Sequence, residues 1–398
     1  MTESLGEMVG FVGHAAAAGR DRGLEEQGAP GDCVGVRAAS HPQFPNSYHQ
    51  MVRISLILER MRNTATAEKS DPFILAAAQV IRGNGQSWLG RAYRKGELVK
   101  IAPRYYVRTA DWVRAGYDGR WWMTLVAALL ANPDRVFCGE TALRLAGFWT
   151  ATPDEVTFLT SDHSHAGSLP FVWTVYGNWP HQQRARTLPP ARPKRHVHPE
   201  HGEPGQRGSA AFLMARDSAF EMLVGRDGRR AMAVADGLCM AGGAEWDTWK
   251  EVLLAQVGEH RVGTRRKRAA GILDLATNQS EAVSESFSKF VIADLGFPRP
   301  VQQKEFWIGR AHYFTDFFFE KENTGGESDG LIKMFGDDVA DDAERIRRYK
   351  ARLNRDRDLR TVCDDVLHWG WEEIMNPQRL RAILLAAGFK PSLANRPW

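Results

Sequence analysis

Cysteines, long apolar runs and leader signals are all scarce in this sequence, and each absence excludes a class of protein. The four cysteines, at positions 33, 138, 239 and 363, are far apart and form no C-x-x-C pair. This spacing fits reduced thiols rather than a disulfide framework or a zinc site. No stretch approaches roughly 18 uncharged apolar residues, so we expect no transmembrane helix. The first residues lack a basic region followed by a compact apolar core, so we expect no secretory signal and a cytoplasmic protein.

Several catalytic and nucleotide-binding motifs are also missing. The sequence contains no G-x-x-x-x-G-K-[ST], no G-x-G-x-x-G after a strand and no G-x-S-x-G. NTPase, dinucleotide-binding and serine-hydrolase functions therefore lack support. The segment 196–201 contains three histidines, but it is proline-rich and basic, with no second ligand cluster nearby. We interpret it as a solvated loop rather than a zinc site.

The sequence has the composition of an ordinary globular protein. It comprises 398 residues, of which 43% are hydrophobic and 25% charged, with a net charge of +4. A chain of this length usually forms two or three domains. The segments 91–100, 192–201 and 261–268 are basic, whereas 337–344 is acidic. Local basic clusters permit contact with phosphates.

An aromatic stretch near the C-terminus and the residues after it carry the acids of a candidate metal site. Asp316 lies in the run 314–319, which predicts a buried strand, and Glu327, Asp329 and Lys333 follow. Acids at the ends of neighbouring strands can hold a divalent cation, and a lysine can orient or activate an attacking water. This is the chemistry of metal-dependent phosphodiester cleavage. The alternative is a hairpin with Asp and Gly in its turn and solvated charges.

Further motifs stand in order around these acids. Glu285 lies in Ser-Glu-Ser-Phe at 284–287, and Pro-Val-Gln-Gln stands at 300–303, before the first acidic strand. The segments 355–360 and 366–372 follow the second acidic strand. Together these motifs resemble the C-terminal domain of many actinobacterial AbiEi-type antitoxin-related proteins. That domain is similar to the very-short-patch-repair and PD-(D/E)XK nuclease fold.

The resemblance implies a restriction-endonuclease-like α/β domain with a Mg²⁺-dependent site. In that scheme Asp316 and Glu327 bind Mg²⁺, while Glu285 and Asp329 supply further ligands or position water. Lys333 stabilises charge or orients the nucleophile, although the family lysine stands two residues after the second acid.

The sequence departs from the family pattern at three further positions. Gly325-Gly326 replaces an apolar pair, Thr-Val-Cys-Asp-Asp at 361–365 replaces a small turn with a glycine, and His368 replaces an arginine.

An earlier segment has the order of a winged helix-turn-helix. Asp71-Pro72 begins a helix with apolar residues at helical spacing, and Ser87 begins a second helix over 88–95. Two short strands, 98–101 and 105–107, surround a Pro-Arg turn. In such folds the second helix enters the DNA major groove and the wing contacts the backbone.

The segment 91–107 also resembles the N-terminal signature R-x-x-x-x-G-x-L-x-R-x-x-x-G-x-Y of AbiEi proteins, except that Tyr105 replaces the second glycine. The predicted DNA contacts are Arg91, Arg94, Lys95, Lys100 and Arg104. For each of them the alternative is a solvated surface charge.

The remaining segments complete an α/β multidomain architecture. The patterns predict helices over 121–131, 138–148, 212–223 and 231–240, with strands at 155–159 and 171–176. The basic helix at 261–273 either follows DNA backbone or serves as a linker. The predicted arm at 1–70 is either disordered or precedes a natural start at Met51 or Met61. The predicted domains after it are a winged helix at 71–112, a middle domain at 113–250, a linker helix at 251–277 and a nuclease-like domain at 278–390.

These features predict a DNA-binding protein with a metal-dependent endonuclease domain. The alternative is an AbiEi-like antitoxin that represses its own promoter and neutralises a cognate nucleotidyltransferase toxin, with an inactive nuclease-like module. A third possibility is a DNA-binding regulator with neither toxin partner nor catalysis.

Overall fold

A computed structural model describes residues 81–82, 88–132, 135–160, 167–168, 174–196, 205–207, 210–212, 215–328 and 342–398. The predicted arm at 1–70 and the helix expected after Asp71-Pro72 lie outside these residues. Contacts divide the chain into two compact units, Met1–Ala219 and Phe220–Trp398. Among the described helices, none has the length and apolar character needed to cross a bilayer.

The first unit alternates short helices and strands. In chain order they are β1 (Ile81–Arg82), α1 (Trp88–Arg94), β2 (Leu98–Ala102), β3 (Tyr105–Arg108), α2 (Thr109–Arg114), α3 (Tyr117–Ala131), β4 (Val136–Phe137), α4 (Gly139–Leu145), β5 (Glu155–Leu159), β6 (Gly167–Ser168), β7 (Thr174–Val175), α5 (Pro180–Arg186), β8 (Arg192–His196), β9 (Gly205–Arg207), β10 (Ala210–Phe212) and α6 (Ala215–Leu223). The last of these helices spans the boundary between the units.

Helix α1 and the β2–β3 hairpin form the start of the first unit. The strands lie in the antiparallel order β1-β3-β2-β7. Leu89 and Ala92 of α1 pack with Leu98 of β2, because these apolar positions recur on one face of the helix. Two residues after the helix stands Gly96, whose φ is +77°. The N–H of Glu97 donates to the carbonyl of Ala92, which is the hydrogen bond of a Schellman C-cap.

A second sheet follows in the same unit, with strands in the order β6-β8-β5-β4-β10-β9. Helix α3 is buried around most of its circumference, as its apolar sequence predicts. The indole of Trp121 donates from Nε1 to the carbonyl of Glu155 at 3.0 Å. Trp112 of α2 likewise donates to the carbonyl of Leu188 at 2.8 Å. These bonds satisfy the polar atoms of large buried side chains.

The second unit places four helices before a mixed sheet. Its elements are α7 (Gly228–Gly242), α8 (Trp246–Gly258), α9 (Gly263–Leu275), α10 (Val283–Asp294), β11 (Val301–Ile308), β12 (Ala311–Phe319), β13 (Thr324–Ser328), α11 (Asp342–Leu359), β14 (Asp365–Trp369), α12 (Trp371–Met375) and α13 (Pro377–Ala386), with short 3-10 turns at Gly243–Glu245 and Leu393–Asn395. Helices α8 and α9, which contain the predicted linker, both pack against α7.

The sheet of the second unit has the strand order β11-β12-β13-β14. The first three strands are antiparallel neighbours, and β13 pairs in parallel with β14. A parallel pair requires a crossover, and the described part of this crossover contains α11. The turn between β12 and β13 uses Asn323 at φ +43°, a conformation that asparagine tolerates better than most residues.

The structure confirms the α/β class and most of the predicted elements, including α1, the β2–β3 hairpin, α3, β5 and α10. The start predicted for the helix at Phe212 was wrong. Phe212 lies in β10 and pairs with Phe137 of β4, and α6 begins only at Ala215. A short apolar run does not distinguish strand from helix until a pairing partner is known.

Candidate active site

Asp316 and Glu327 lie on neighbouring strands of the second unit. The register of β12 and β13 pairs Phe317 with Gly326, and the next residues on the two strands are Asp316 and Glu327. The backbone N–H of Ser328 donates to Asp316 Oδ2 at 2.7 Å. This bond holds the Asp316 carboxylate against β13.

Asp316 and Glu327 do not lie in the turn of this hairpin, and the Asp-Gly pair at 329–330 lies outside the described residues. The hairpin exists, but its turn falls between Phe319 and Thr324, so both acids lie within strands. Glu327 keeps only 7% of its surface exposed, and Asp316 is half-buried. Glu327 is therefore buried, whereas Asp316 keeps part of its surface exposed.

Glu285 is brought to Asp316 by the packing of α10 against the sheet. It lies in the first turn of α10 and is 3% exposed. Its Oε2 accepts hydrogen bonds from the N–H of Glu281 at 2.9 Å and from Gln303 Nε2 at 3.3 Å. Burial and, to a smaller extent, the negative charge of Asp316 raise the pKa of Glu285 from 4.5 to about 8.

Gln303 joins Glu285 to the sheet, and its backbone is unusual. Pairing of β11 with β12 skips one position between Gln302–Phe317 and Lys304–Thr315, so Gln303 stands across from Asp316 without a regular partner. Its φ is +50°, in the left-handed region that costs energy for a side chain other than glycine. This conformation accompanies the hydrogen bond from Gln303 to Glu285.

Glu327 is paired with a cation from α11. Arg355 Nη2 donates to Glu327 Oε1 at 2.9 Å, and the same nitrogen donates to the carbonyl of Phe314. The Glu327 side chain is 9% exposed. Arg355 therefore neutralises this acid and connects α11 to the sheet.

The remaining predicted site residues, Asp329 and Lys333, lie outside the described residues. Within the ranges that the structure describes, no three of His, Cys, Asp and Glu are grouped in a way that could hold a metal ion. The structure brings Glu285 close to Asp316 and pairs Glu327 with Arg355. The two carboxyl groups supply oxygen ligands of the kind that Mg²⁺ takes, and binding a cation would require Glu285 to lose its proton.

The glycine at 326 has a steric reason. A Cβ on Gly326 would lie 2.5 Å from Cη2 of Trp369 and 3.3 Å from Cβ of Phe317. Trp369 stacks on Phe317 with ring centroids 5.5 Å apart, and its Nε1 donates to Ser288 Oγ at 2.8 Å. The indole therefore fills the space of the apolar side chain that the family pattern leads one to expect.

A buried ion pair next to this site was missed by the sequence reasoning. Asp236 of α7 accepts hydrogen bonds from Lys289 Nζ at 2.6 Å, Ser286 Oγ at 2.6 Å and Ser280 Oγ at 2.9 Å. Two signals were available. Asp236 is a single acid in an apolar helical stretch, and Lys289 follows Glu285 by four residues, which is one helical turn.

The predicted DNA-contacting residues lie on the helix and hairpin at the start of the first unit. Arg91, Arg94 and Lys95 are exposed at the end of α1, and Lys100 on β2 is half-buried. Arg104 is exposed in the hairpin turn, where its φ is +70°. These five residues are close in sequence, and α1 packs against β2 of the hairpin.

No protein-family model, curated protein or solved structure matches the chain.

Proposed function

We propose that the protein binds DNA through the basic helix and hairpin of its first unit and cleaves phosphodiester bonds in its second unit. The cleavage site comprises Glu285, Asp316 and Glu327, with Mg²⁺ as the cofactor. The observation that carries this proposal is the position of Glu285, which is buried beside Asp316 and bridged to the facing strand by Gln303. Forcing two carboxylates together in a buried place is costly and is typical of functional sites.

The surrounding fold gives this acid pair a suitable frame. A mixed sheet with two acid-bearing strands, followed by a crossover that contains a helix and a parallel strand, agrees with the restriction-endonuclease-like α/β domain that the resemblance implies. Asp316 is held by the N–H of Ser328, and Glu285 by Gln303 and the N–H of Glu281. Groups fixed in this way lose little entropy when they engage a substrate.

Each residue then has a defined task. Asp316 and Glu285 would hold the cation, and Glu327 would join them by exchanging its contact with Arg355. A bound divalent cation neutralises the developing charge on phosphorus and lowers the pKa of water. Without a cation, burial and the charge of Asp316 raise the pKa of Glu285 to about 8, and a bound cation would favour its ionised form. Arg355, once released from Glu327, offers a guanidinium suited to phosphate oxygens.

Binding of DNA by the first unit is supported by exposure and charge. Four of the five predicted contacts are exposed, and their guanidinium and ammonium groups are the donors that proteins use for phosphate and guanine. Trp88, at the start of α1, is 56% exposed, which is unusual for an indole that has only a structural role.

The test is nicking of supercoiled plasmid with Mg²⁺ or Mn²⁺ by the wild type and by Asp316→Asn. The asparagine keeps an acceptor for the N–H of Ser328 but removes the charge. Glu305→Gln is the matched control, because Glu305 is an exposed acid of the same sheet, paired with His312. We expect metal-dependent nicking that is lost in Asp316→Asn and kept in Glu305→Gln. Equal nicking by all three proteins would refute the assignment of the site.

A second candidate function is the repressor-antitoxin. It is favoured by the pairing of Glu327 with Arg355, because an acid neutralised in this way suits a module that has kept its fold without catalysis. Tight binding to the promoter of its own gene, no cleavage with any metal, and capture of a cognate nucleotidyltransferase toxin would support this function over the nuclease.

A further inference from the structure

A cavity of about 710 Å³ lies in the second unit, away from the acid pair. The first turns of α7 and α9, the last turn of α10 and the residues around Trp398 line it. Five arginines face the cavity, namely Arg226, Arg229, Arg265, Arg268 and Arg396. We call this cavity the arginine cleft. Its lining contains two acidic side chains, Asp227 and Asp294, against the five arginines.

The ion pairs of the cleft use only part of its positive charge. Arg396 pairs with Asp294, and Arg229 lies 3.4 Å from Asp227. In the described part of the chain, Arg226, Arg265 and Arg268 form no ion pair with a carboxylate. Arg268 donates instead to the carbonyls of Gly225 and Arg226.

The guanidinium of Arg268 is partly buried, and no carboxylate in the described part of the chain pairs with it. Its Nε is buried and has no acceptor among the described residues. Burial lowers the pKa of Arg268, and so does the neighbouring charge of Arg265, whereas Asp294 and Asp227 oppose this shift. Clustered cations of this kind create a positive potential that attracts anions.

Two helix N-termini lie at the cleft, although that of α7 is already capped by the Asp227 carboxylate, which accepts from the N–H groups of Arg229 and Arg230. Helix α7 has 15 residues and begins at Gly228, and α9 has 13 residues and begins at Gly263. Gly228 and Thr264 both line the cleft. The N-terminus of a helix carries a partial positive charge and favours anions.

The aromatic side chains of the cleft leave little room for a nucleobase. Phe290 and Trp398 stack on each other with centroids 5.1 Å apart and an interplanar angle of 13°. A Cβ on Gly271 of α9 would lie 2.8 Å from Cε3 of Trp398, so α9 packs closely against the indole. The cleft therefore offers guanidinium donors rather than a stacking surface, which favours a ligand recognised by its phosphates.

We propose that the arginine cleft binds the sugar-phosphate backbone of DNA independently of sequence and anchors the substrate of the proposed nuclease. The DNA partner rests on the proposed function, whereas the anion site rests on the cleft itself. Helix α10 connects the two places, since Glu285 lies in its first turn and Asp294 in its last. Nine residues of α-helix span about 13 Å, a length of roughly four base pairs of duplex.

Under this proposal, only part of the basic run at 261–268 contacts DNA. Arg265 and Arg268 face the cleft. Arg266 instead donates to the carbonyl of His260 at 2.6 Å, and Arg261 and Lys267 are exposed outside the cleft lining. The run therefore divides into cleft residues and ordinary surface residues, which provides matched variants.

The experiment compares Arg226→Gln/Arg265→Gln with Arg261→Gln/Lys267→Gln in the full chain. Both pairs remove two positive charges, and neither includes Arg268, whose hydrogen bonds to carbonyls support the local fold. Thermal melting verifies that both variants are folded. Affinity for a labelled duplex is measured by fluorescence anisotropy in EDTA, between about 0.05 and 0.2 M salt.

We expect the cleft variant to bind at least about tenfold more weakly at 0.1 M salt, with a slope of log K against log salt that is shallower by about two. The control variant should change affinity less than about twofold. Equal losses in both variants, or no loss in the cleft variant, would overturn the proposal. Inorganic tripolyphosphate that binds the cleft while duplex affinity is unaffected by the cleft variant would also overturn it, in favour of a small polyphosphate ligand.

The binding assay contains no free metal, so its result does not depend on cleavage. A wild type that binds DNA with the expected loss in the cleft variant but never nicks plasmid would support the cleft and overturn the nuclease. Metal-dependent nicking with unchanged affinity in the cleft variant would support the nuclease and overturn the cleft as a DNA site.

Discussion

Asp236 and Lys289 form a buried ion pair at 2.6 Å that joins α7 to α10, with side-chain exposures of 0% and 6%. The remaining acceptor capacity of Asp236 is used by two serine hydroxyls and by the N–H of Thr277 at 2.9 Å. The segment between α9 and α10 is thereby tied to α7, and α10 is the helix that carries Glu285. The ion pair therefore supports the position of the candidate catalytic acid.

Removing one partner of this pair should destabilise the second unit strongly. Asp236→Asn keeps the shape of the side chain but leaves the ammonium of Lys289 buried without its counter-charge, at a cost of about 3–5 kcal/mol. Denaturant unfolding measures this loss. The control is Lys250→Met, which breaks a pair with the exposed Asp274 and should cost less than about 1 kcal/mol. Similar losses in the two variants would contradict the structural role of the buried pair.

Glu285 should make stability depend on pH. Its pKa is raised from 4.5 to about 8 in the folded chain. Between these values the unfolded chain loses the proton while the folded chain keeps it, so the free energy of unfolding falls as pH rises. Glu285→Gln does not titrate and should melt at a higher temperature than wild type above pH 8, with the difference disappearing towards about pH 5.

Thermal melts across this pH range measure the effect. The control is the same melts with added Mg²⁺. A cation bound by Glu285 and Asp316 stabilises the ionised carboxylates, so added Mg²⁺ should raise the melting temperature of wild type more than that of Glu285→Gln. A difference between the two proteins that stayed constant with pH would contradict the burial of an acid whose pKa is raised.

Gly96 should be intolerant of a side chain. Its φ of +77° is unfavourable for alanine, and a Cβ would lie 2.5 Å from the carbonyl oxygen of Tyr176. We expect Gly96→Ala to lower the free energy of unfolding by more than about 1 kcal/mol. Gly90→Ala is the matched control, because Gly90 lies within α1 with open space around its Cα, and alanine there should stabilise by about 0.5–1 kcal/mol. Equal effects of the two changes would refute this account of the helix end.

Gly326 should be equally restrictive in the sheet of the second unit. In Gly326→Ala the new methyl group must displace the indole of Trp369, which should cost about 1–3 kcal/mol. In Gly325→Ala the new Cβ meets Cγ2 of Thr315 at 3.4 Å, an ordinary contact, and the cost should be smaller. Denaturant unfolding of both variants tests this, and a larger loss at Gly325 would show that the space beside Trp369 is not limiting.

The sequence by itself determined most local elements. The spacing of apolar residues in α1 and α3, the hairpin of β2 and β3, and the aromatic run of β12 all encode backbone conformation through interactions between near neighbours. The resemblance to a nuclease family also identified Glu285, Asp316 and Glu327 as one candidate set. What local patterns do not contain is the partner of each side chain.

Tertiary structure alone decided those partners. It brought Glu285 to Asp316, paired Glu327 with Arg355, buried Lys289 against Asp236 and gathered arginines from α9 and the chain around Arg226 into one cleft. Each of these relationships joins residues separated by many positions, and each depends on strand register and on which face one helix presents to another. Register and packing are set when distant segments bury their apolar faces together, so the charges of this protein acquire their chemical roles only in the folded chain.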